Sequence, residues 1–488
     1  MVRKKQWMGI LSMVILLTGP AAMGQISVPR LVSDGMVLQR EQPIHIWGFG
    51  SPGEHVTVKF DGETAEAVTD DNGRWAMALA PRKAGGPYTM DIDGINHIWL
   101  KNIMVGEVWF CGGEYPMYRR LGNVKEKYAD LISRARQVPI YQFRIETHYD
   151  FRGPRRNLSS GRWEAADSAS VLSFSELAYL FAIQVYNHYH VPVGLIDASV
   201  AEAPAEAWLS PEGPEGLNLF PEYSTLASRY ADSSYAPGNG PVNRKAPGGL
   251  FNGMVAPADL YTVRGILWCQ GDANLDRPQE YQRIFSTLIS DWRVHWHDGD
   301  LPWIYAQLGP HGAPVDTPQE SGRAELRDAQ RRVLGLPFTG MAVAADLGER
   351  DDGDVADKEE LAKRLFLSAE HIAYQKQNMI FSGPLFHSIH IRHNKAILGF
   401  DEVNGGLIVK GGGELHGFAL AGPDNHFYAA VAAIEGKRVI VTSDHVPNPV
   451  TVRYGWADNP QHANLYNRDQ LFQDGLPAPA FQAQKLPK

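Results

Sequence analysis

Between residues 26 and 105 apolar side chains recur at every second position, cut by turn residues. Val56, Val58 and Phe60 alternate with Thr57 and Lys59; small residues separate Trp75, Met77 and Leu79; Tyr88, Met90 and Ile92 alternate with Thr89 and Asp91. A period of two is that of a strand with one buried face, and Asp61-Gly62, Asn72-Gly73 and Asp93-Gly94 supply the turns. The pattern predicts an all-β sandwich over 25–105. From residue 106 the period changes. Phe174, Leu177, Phe181 and Val185 follow helical spacing ahead of an apolar run at 191–196. Strand-like runs at 264–268, 303–308 and 341–347 then alternate with helical ones at 279–296, 324–333 and 357–374. That order predicts an α/β domain with a largely parallel sheet over 106–385. Residues 211–249, rich in Pro, Gly, Ser and Asn, read as a surface insertion in it. Alternation returns at 407–409, 439–441 and 450–454, which predicts a second all-β module over 386–488.

Composition narrows the function. A chain of 488 residues exceeds the roughly 250 to 300 that one core sustains, so several domains are expected. Hydrophobic content of 44% with 12 Trp, 19 Tyr and 19 Phe excludes disorder. Net charge of -9, from 46 basic and 55 acidic residues, argues against general affinity for nucleic acid or anionic membrane and leaves an uncharged or sugar-like ligand. Two cysteines exclude a disulfide scaffold and a thiolate-rich metal site. Cys111 and Cys269 stand at the ends of two core strands, where they either pair in an oxidising compartment or serve as small buried hydrophobes.

Residues 1–24 read as a secretory signal: Arg3, Lys4 and Lys5, an apolar stretch at 7–17, then Ala22, Met23 and Gly24 as the small-x-small cleavage site. Cleavage near Gly24 gives a secreted or periplasmic chain that begins near Gln25. Losing those three cations takes the formal charge from -9 to -12. No later segment offers 18 uninterrupted apolar residues, so no transmembrane anchor is predicted.

In an open α/β sheet the ligand sits beyond the carboxyl ends of the strands. Four loops meet that condition: GEVWFCGGEYPM at 106–117, IDASVAEAPAEAW at 196–208, GILWCQGDAN at 265–274 and DLGERDDGDVADK at 346–358. Together with DGMVLQREQPIHIWGFGSPGE, LFNGMVAP, the AELRDAQ helix, TGMAVAADLG and VTVRYGWAD, they carry a resemblance along nearly the whole mature chain. The sequence resembles the sialate O-acetylesterase family of the SGNH hydrolase superfamily. The resemblance implies a three-layer, flavodoxin-like SGNH domain with all-β modules at both ends. It also implies removal of acetyl groups from sugar hydroxyls by a Ser-His-Asp mechanism that uses no metal or cofactor.

Residue by residue, this chain departs from that pattern. The family's first block looks like GQSNM with a nucleophilic serine; here it reads Gly113, Glu114, Tyr115, Pro116, Met117. The Gly-Gly pair of the second block, an oxyanion donor, is Ala201 and Glu202. The third, WxQGExN, keeps Trp268, Gln270, Gly271 and Asn274, with Asp272 for Glu, so Asn274 holds an oxyanion position. The last, DxHP, keeps Asp352 and the later Lys358 but has Asp354 and Val355 for His and Pro. A phenol of reference pKa about 10 thus replaces the nucleophile and a carboxyl of about 3.9 the base. Losing either costs on the order of 10⁶ in turnover.

Three readings stay open: an impaired family member that binds glycans, an active O-acetylesterase with nucleophile and base from other positions, and a hydrolase using the acids Glu114, Glu202, Asp272, Asp352 and Asp354. Those acids suit a hard cation if they converge, though separate solvated acids explain them equally well. Glu114, Gln270, Asp272 and Trp268 are the expected ligand-side residues, with core packing as the default for Trp268. His311 reads as a surface residue, and His387, His390 and His393 as strand and turn residues of the last module.

Overall fold

The computed structural model describes residues 25–211, 219–223, 246–315, 317–348, 355–468 and 475–485. The signal-like segment, most of the 211–249 insertion, Asp352 and Asp354 lie outside those residues.

The N-terminal alternation forms strands β1 (Val37–Gln39), β2 (Ile44–Phe49), β3 (His55–Phe60), β4 (Glu63–Val68), β5 (Arg74–Leu79) and β6 (Gly85–Asp93). β3 and β4 close on the two-residue Asp61-Gly62 turn, both with positive φ (47° and 79°), which matches the right-handed twist of the hairpin. Strand β7 (His97–Gly113) is continuous through residue 105, where the sequence pattern changes character. Its first half pairs antiparallel with β6 and its second half lies between two parallel neighbours.

Those neighbours belong to a sheet that also holds β8 (Ile140–Arg144), β9 (Trp163–Ala165), β10 (Val193–Asp197), β11 (Gly265–Cys269), β12 (Trp303–Ala306) and β13 (Thr339–Ala342). The strand order is β13-β12-β11-β7-β10-β8-β9, parallel except for β9 at the edge. From β7 the chain leads to β8 and β10 on one side and to β11, β12 and β13 on the other, so the switch point falls at the carboxyl end of β7.

Among the described residues the α-helices include α1 (Ala129–Ser133), α2 (Glu176–Tyr189), α3 (Pro278–His295), α4 (Gly322–Val333) and α5 (Lys358–Ile372). Ser175, Ser321 and Asp357 cap α2, α4 and α5 with side-chain oxygens. The alternation of β7 fixes the layers: Val108 and Phe110 face the core that holds Trp268, Trp292 and Trp303 with α3 and α4, whereas Trp109 and Cys111 face the core of α2 and α5.

The C-terminal module is built from β14 (Leu385–Arg392), β15 (Lys395–Asp401), β16 (Leu407–Val409), β17 (Phe418–Ala421), β18 (Phe427–Ala429), β19 (Val431–Glu435), β20 (Arg438–Thr442), β21 (Thr451–Tyr454), β22 (Leu465–Asn467) and β23 (Phe481–Gln484). It has its own apolar core. Arg327 of α4, fully buried, ties it to the α/β domain by donating to the carbonyls of Leu308 (2.7 Å), Gly309 (2.6 Å), Ala457 (2.7 Å) and Asp458 (2.8 Å). Arg364, paired to Asp346, which also accepts from Tyr466, makes a second tie.

Replacing Arg327 by Met takes the donor from the buried Leu308 and Ala457 carbonyls, while Gly309 and Asp458 keep Arg323 and the His311 N–H, a loss of about 3 kcal/mol. Differential scanning calorimetry of Arg327→Met is expected to show the main transition lowered by roughly 5 °C. An unchanged thermogram contradicts the clamp.

Candidate active site

β7 ends at Gly113, and only glycine fits there: φ is +97°, and a Cβ would lie 1.9 Å from the Cys269 carbonyl oxygen. The Glu114 N–H donates to that same carbonyl at 2.6 Å. Its side chain turns inward, 2% exposed, and its carboxylate accepts from the N–H groups of Gly271 (2.9 Å) and Ala273 (3.0 Å). Burial pushes the Glu114 pKa up to about 7, aided by the charge of Asp272 and opposed by the two N–H donors.

Tyr115 follows, 43% exposed, its ring edge-on to Tyr118 at 5.7 Å. Its phenol has no hydrogen-bond partner among the described residues. Tyr115, Gln270 and Asp272 meet at one cleft with Pro116, Leu308 and Val355. The free volume there is about 20 Å³, space for about one water and far less than a sugar ring. Asp272 is tied to Arg323, and Gln270 is buried between Asn274 (2.7 Å) and the Tyr281 hydroxyl (2.7 Å).

Asn274 sits behind this wall with no exposed surface. Its side-chain oxygen accepts from Ala205 N (2.9 Å) and Gln270, and its amide nitrogen donates to Glu206 (2.9 Å). Glu206 in turn pairs with Arg277 at 2.7 Å. Ala201 and Glu202 occupy a turn beside the end of β7, where Val200 N donates to Gly113 O at 2.8 Å. Glu202 has φ +58°, a left-handed conformation that costs a residue with a Cβ about 1 kcal/mol or more and that glycine adopts freely. The backbone therefore keeps a glycine's shape where the side chain is not glycine.

Trp268 requires a correction. It is fully buried, 5.6 Å from the ring centres of Trp208, Trp292 and Trp303, and presents no face to a ligand. Cys111 and Cys269 form no disulfide and lie buried on adjacent strands. His311 donates its backbone N–H to Asp458, and His387 pairs with Asp401 on the C-terminal module. His390 lies on β14 with His387, and His393 in the turn after it. No group of three metal-ligating side chains forms among the described residues.

Of the five acids, Glu114 and Asp272 adjoin across the cleft floor, Glu202 is exposed on the neighbouring turn, and Asp352 and Asp354 lie outside the described residues. Gly348 and Val355, which flank the latter two, are bridged to each other.

Sequence reasoning missed three site residues. Ser199 lies at the mouth of the sheet, 3% exposed, its hydroxyl donating to Asp197 at 2.6 Å, with no histidine partner among the described residues. Glu206 stands in the quoted EAW segment, and Arg323 lies four residues before Arg327 on the quoted AELRDAQ helix; that spacing was the available signal.

A model of the family described as "Carbohydrate esterase, sialic acid-specific acetylesterase" matches residues 164–366. The crystal structure of a carbohydrate acetylesterase from Xanthomonas citri superimposes with a TM-score of 0.82, at 33% identity, over 95% of this chain and 100% of that one. This chain belongs to the sialate O-acetylesterase family of carbohydrate esterases. Human sialate O-acetylesterase is 28% identical over 75% of each chain, and the mouse protein 25% over 93% of each. The three-layer α/β domain with flanking β modules is the architecture shared with the Xanthomonas citri enzyme.

An acid with a raised folded-state pKa holds its proton more tightly in the fold than in the unfolded chain. For Glu114 that advantage is complete below the unfolded value of 4.5 and is lost as pH rises through about 7. The shift corresponds to roughly 3 kcal/mol. Since Gln mimics the protonated carboxyl, Glu114→Gln is expected to gain stability relative to the parent between pH 5 and 7.5, read as a widening difference in thermal midpoint. A constant difference across that range contradicts the assignment.

Proposed function

We propose that this member of the family is a secreted carbohydrate-binding protein whose inherited cleft does not deacetylate at esterase rates. The observation that carries the reading is Tyr115: it stands at the serine position, exposed, with no base hydrogen-bonded to its phenol among the described residues. Asp354 at the histidine position supports it from sequence, because a carboxylate is a poor proton acceptor at neutral pH. The fully buried Asn274, whose amide donates to Glu206, and the side chains at 201 and 202 point the same way, since each withdraws or crowds a donor that an oxyanion needs.

The signal-like first 24 residues support export to the periplasm or beyond, and no described helix is long and apolar enough to cross a membrane. A second reading, an active O-acetylesterase, draws on the Ser199 and Asp197 pair. Among the described residues no imidazole is placed to take the hydroxyl proton, and Asp197 is already held by Arg120.

The test is hydrolysis of p-nitrophenyl acetate and of O-acetylated N-acetylneuraminic acid. The parent chain is expected to match Tyr115→Phe and Ser199→Ala, all three near background. Turnover is expected only when Tyr115→Ser and Asp354→His are combined with glycines at 201 and 202, at about 10³-fold or more over the parent. Robust turnover by the parent overturns the proposal, and its loss in Ser199→Ala assigns the second reading.

A further inference from the structure

The inherited cleft has space for one water, but a second cavity of about 690 Å³ opens where Thr317, Pro318 and Gln319 meet the C-terminal module. That size lies within the roughly 300–1,000 Å³ of sites for small organic ligands. Its lining includes Trp456, Phe418, Arg453, Asn464, His416 and Gln319.

Two features of this lining point to a ligand class. Arg453 is 7% exposed and pinned on every side: bidentate to Glu320 at 2.9 and 2.9 Å, Nε to Gln482 at 2.7 Å, and its guanidinium 3.7 Å from the Phe427 ring centre and 4.6 Å from that of Trp456. Its charge is cancelled within the protein, so it offers an anion little, while the stack holds the Trp456 ring still. The second feature is that the polar side chains beside that ring include the neutral amides of Gln319 and Asn464. A fixed aromatic face, side-chain amides and no free cation from Arg453 form a surface for the C–H face and hydroxyls of a neutral pyranose.

The cavity is also coupled to the cleft. Arg327 holds Leu308 and Gly309, which line the cleft, and Ala457 and Asp458, which follow Trp456, by the same guanidinium.

We propose that this cavity binds a neutral oligosaccharide, as a glycan site separate from the inherited cleft. The proposal stands whether or not the cleft turns over.

Isothermal titration of the full chain with cellohexaose, mannohexaose and xylohexaose, and with 3′-sialyllactose as an anionic contrast, tests it. At least one neutral hexasaccharide is expected to bind with Kd in the millimolar range or tighter, and more tightly than sialyllactose. Trp456→Ala is expected to weaken that binding tenfold or more. Ala429→Trp, which fills the cavity from an exposed strand position, should do the same with an unchanged melting temperature. No binding by any neutral hexasaccharide overturns the proposal. So does preference for sialyllactose, or affinity that both variants keep.

Discussion

The mouth of the central sheet is organised by one buried carboxyl group. Glu114 accepts from the Gly271 and Ala273 amides of the loop after β11, while its own N–H bonds the last carbonyl of that strand. Those bonds set the spacing between the loops after β7 and β11, and so the width of the cleft that Tyr115, Gln270 and Asp272 share. Gly113 permits the approach, because a side chain there collides with Cys269. A carboxyl so placed is partly protonated near neutral pH, because desolvation penalises its charge more than two N–H donors repay. It is nonetheless committed to structure, accepting from the backbone of the neighbouring loop.

The same logic runs through the other polar groups around the cleft. Asn274, Glu206 and Arg277 satisfy one another in a chain, Asp272 is taken by Arg323, and Asp197 by Arg120 and Ser199. A hydrolytic site keeps groups free to meet a reacting carbonyl. Here those described groups are spent on each other, and the Tyr115 phenol has no hydrogen-bonded base among the described residues. The C-terminal module, in contrast, is clamped by Arg327 against the cleft wall and leaves a roomy seam lined by aromatic and neutral polar side chains. The open volume at that seam, about 690 Å³, exceeds the roughly 20 Å³ at the cleft that Tyr115 and Asp272 line.

Much of the fold was legible in the chain. Period two gave β3, β5 and β6, the Asp61-Gly62 turn gave its hairpin, and helical spacing gave α2 to α5 within a few residues. The passage of β7 through residue 105 was not, because its two halves face different surroundings and carry different patterns within one strand. The substituted motif positions could be read directly, since identity alone reveals a phenol or a carboxylate. Their partners could not: the pairing of Asn274 with Glu206, 68 positions apart, or the reach of Arg327 to Asp458 across 131, depends on the tertiary fold and leaves no local periodicity. Trp268 was misjudged for a related reason. A strand-end tryptophan looks the same in sequence whether it faces a cleft or a neighbouring helix, and alternation along β11 places this one among Trp208, Trp292 and Trp303.

Whether the scaffold has lost its nucleophile is tested most directly by covalent labelling. A fluorophosphonate captures a serine only where a neighbouring base activates the hydroxyl. Incubation of the purified chain with such a reagent, followed by intact-mass measurement, is expected to leave the mass unchanged. A stoichiometric adduct that maps to a serine at the carboxyl ends of the central strands would contradict the loss of esterase chemistry.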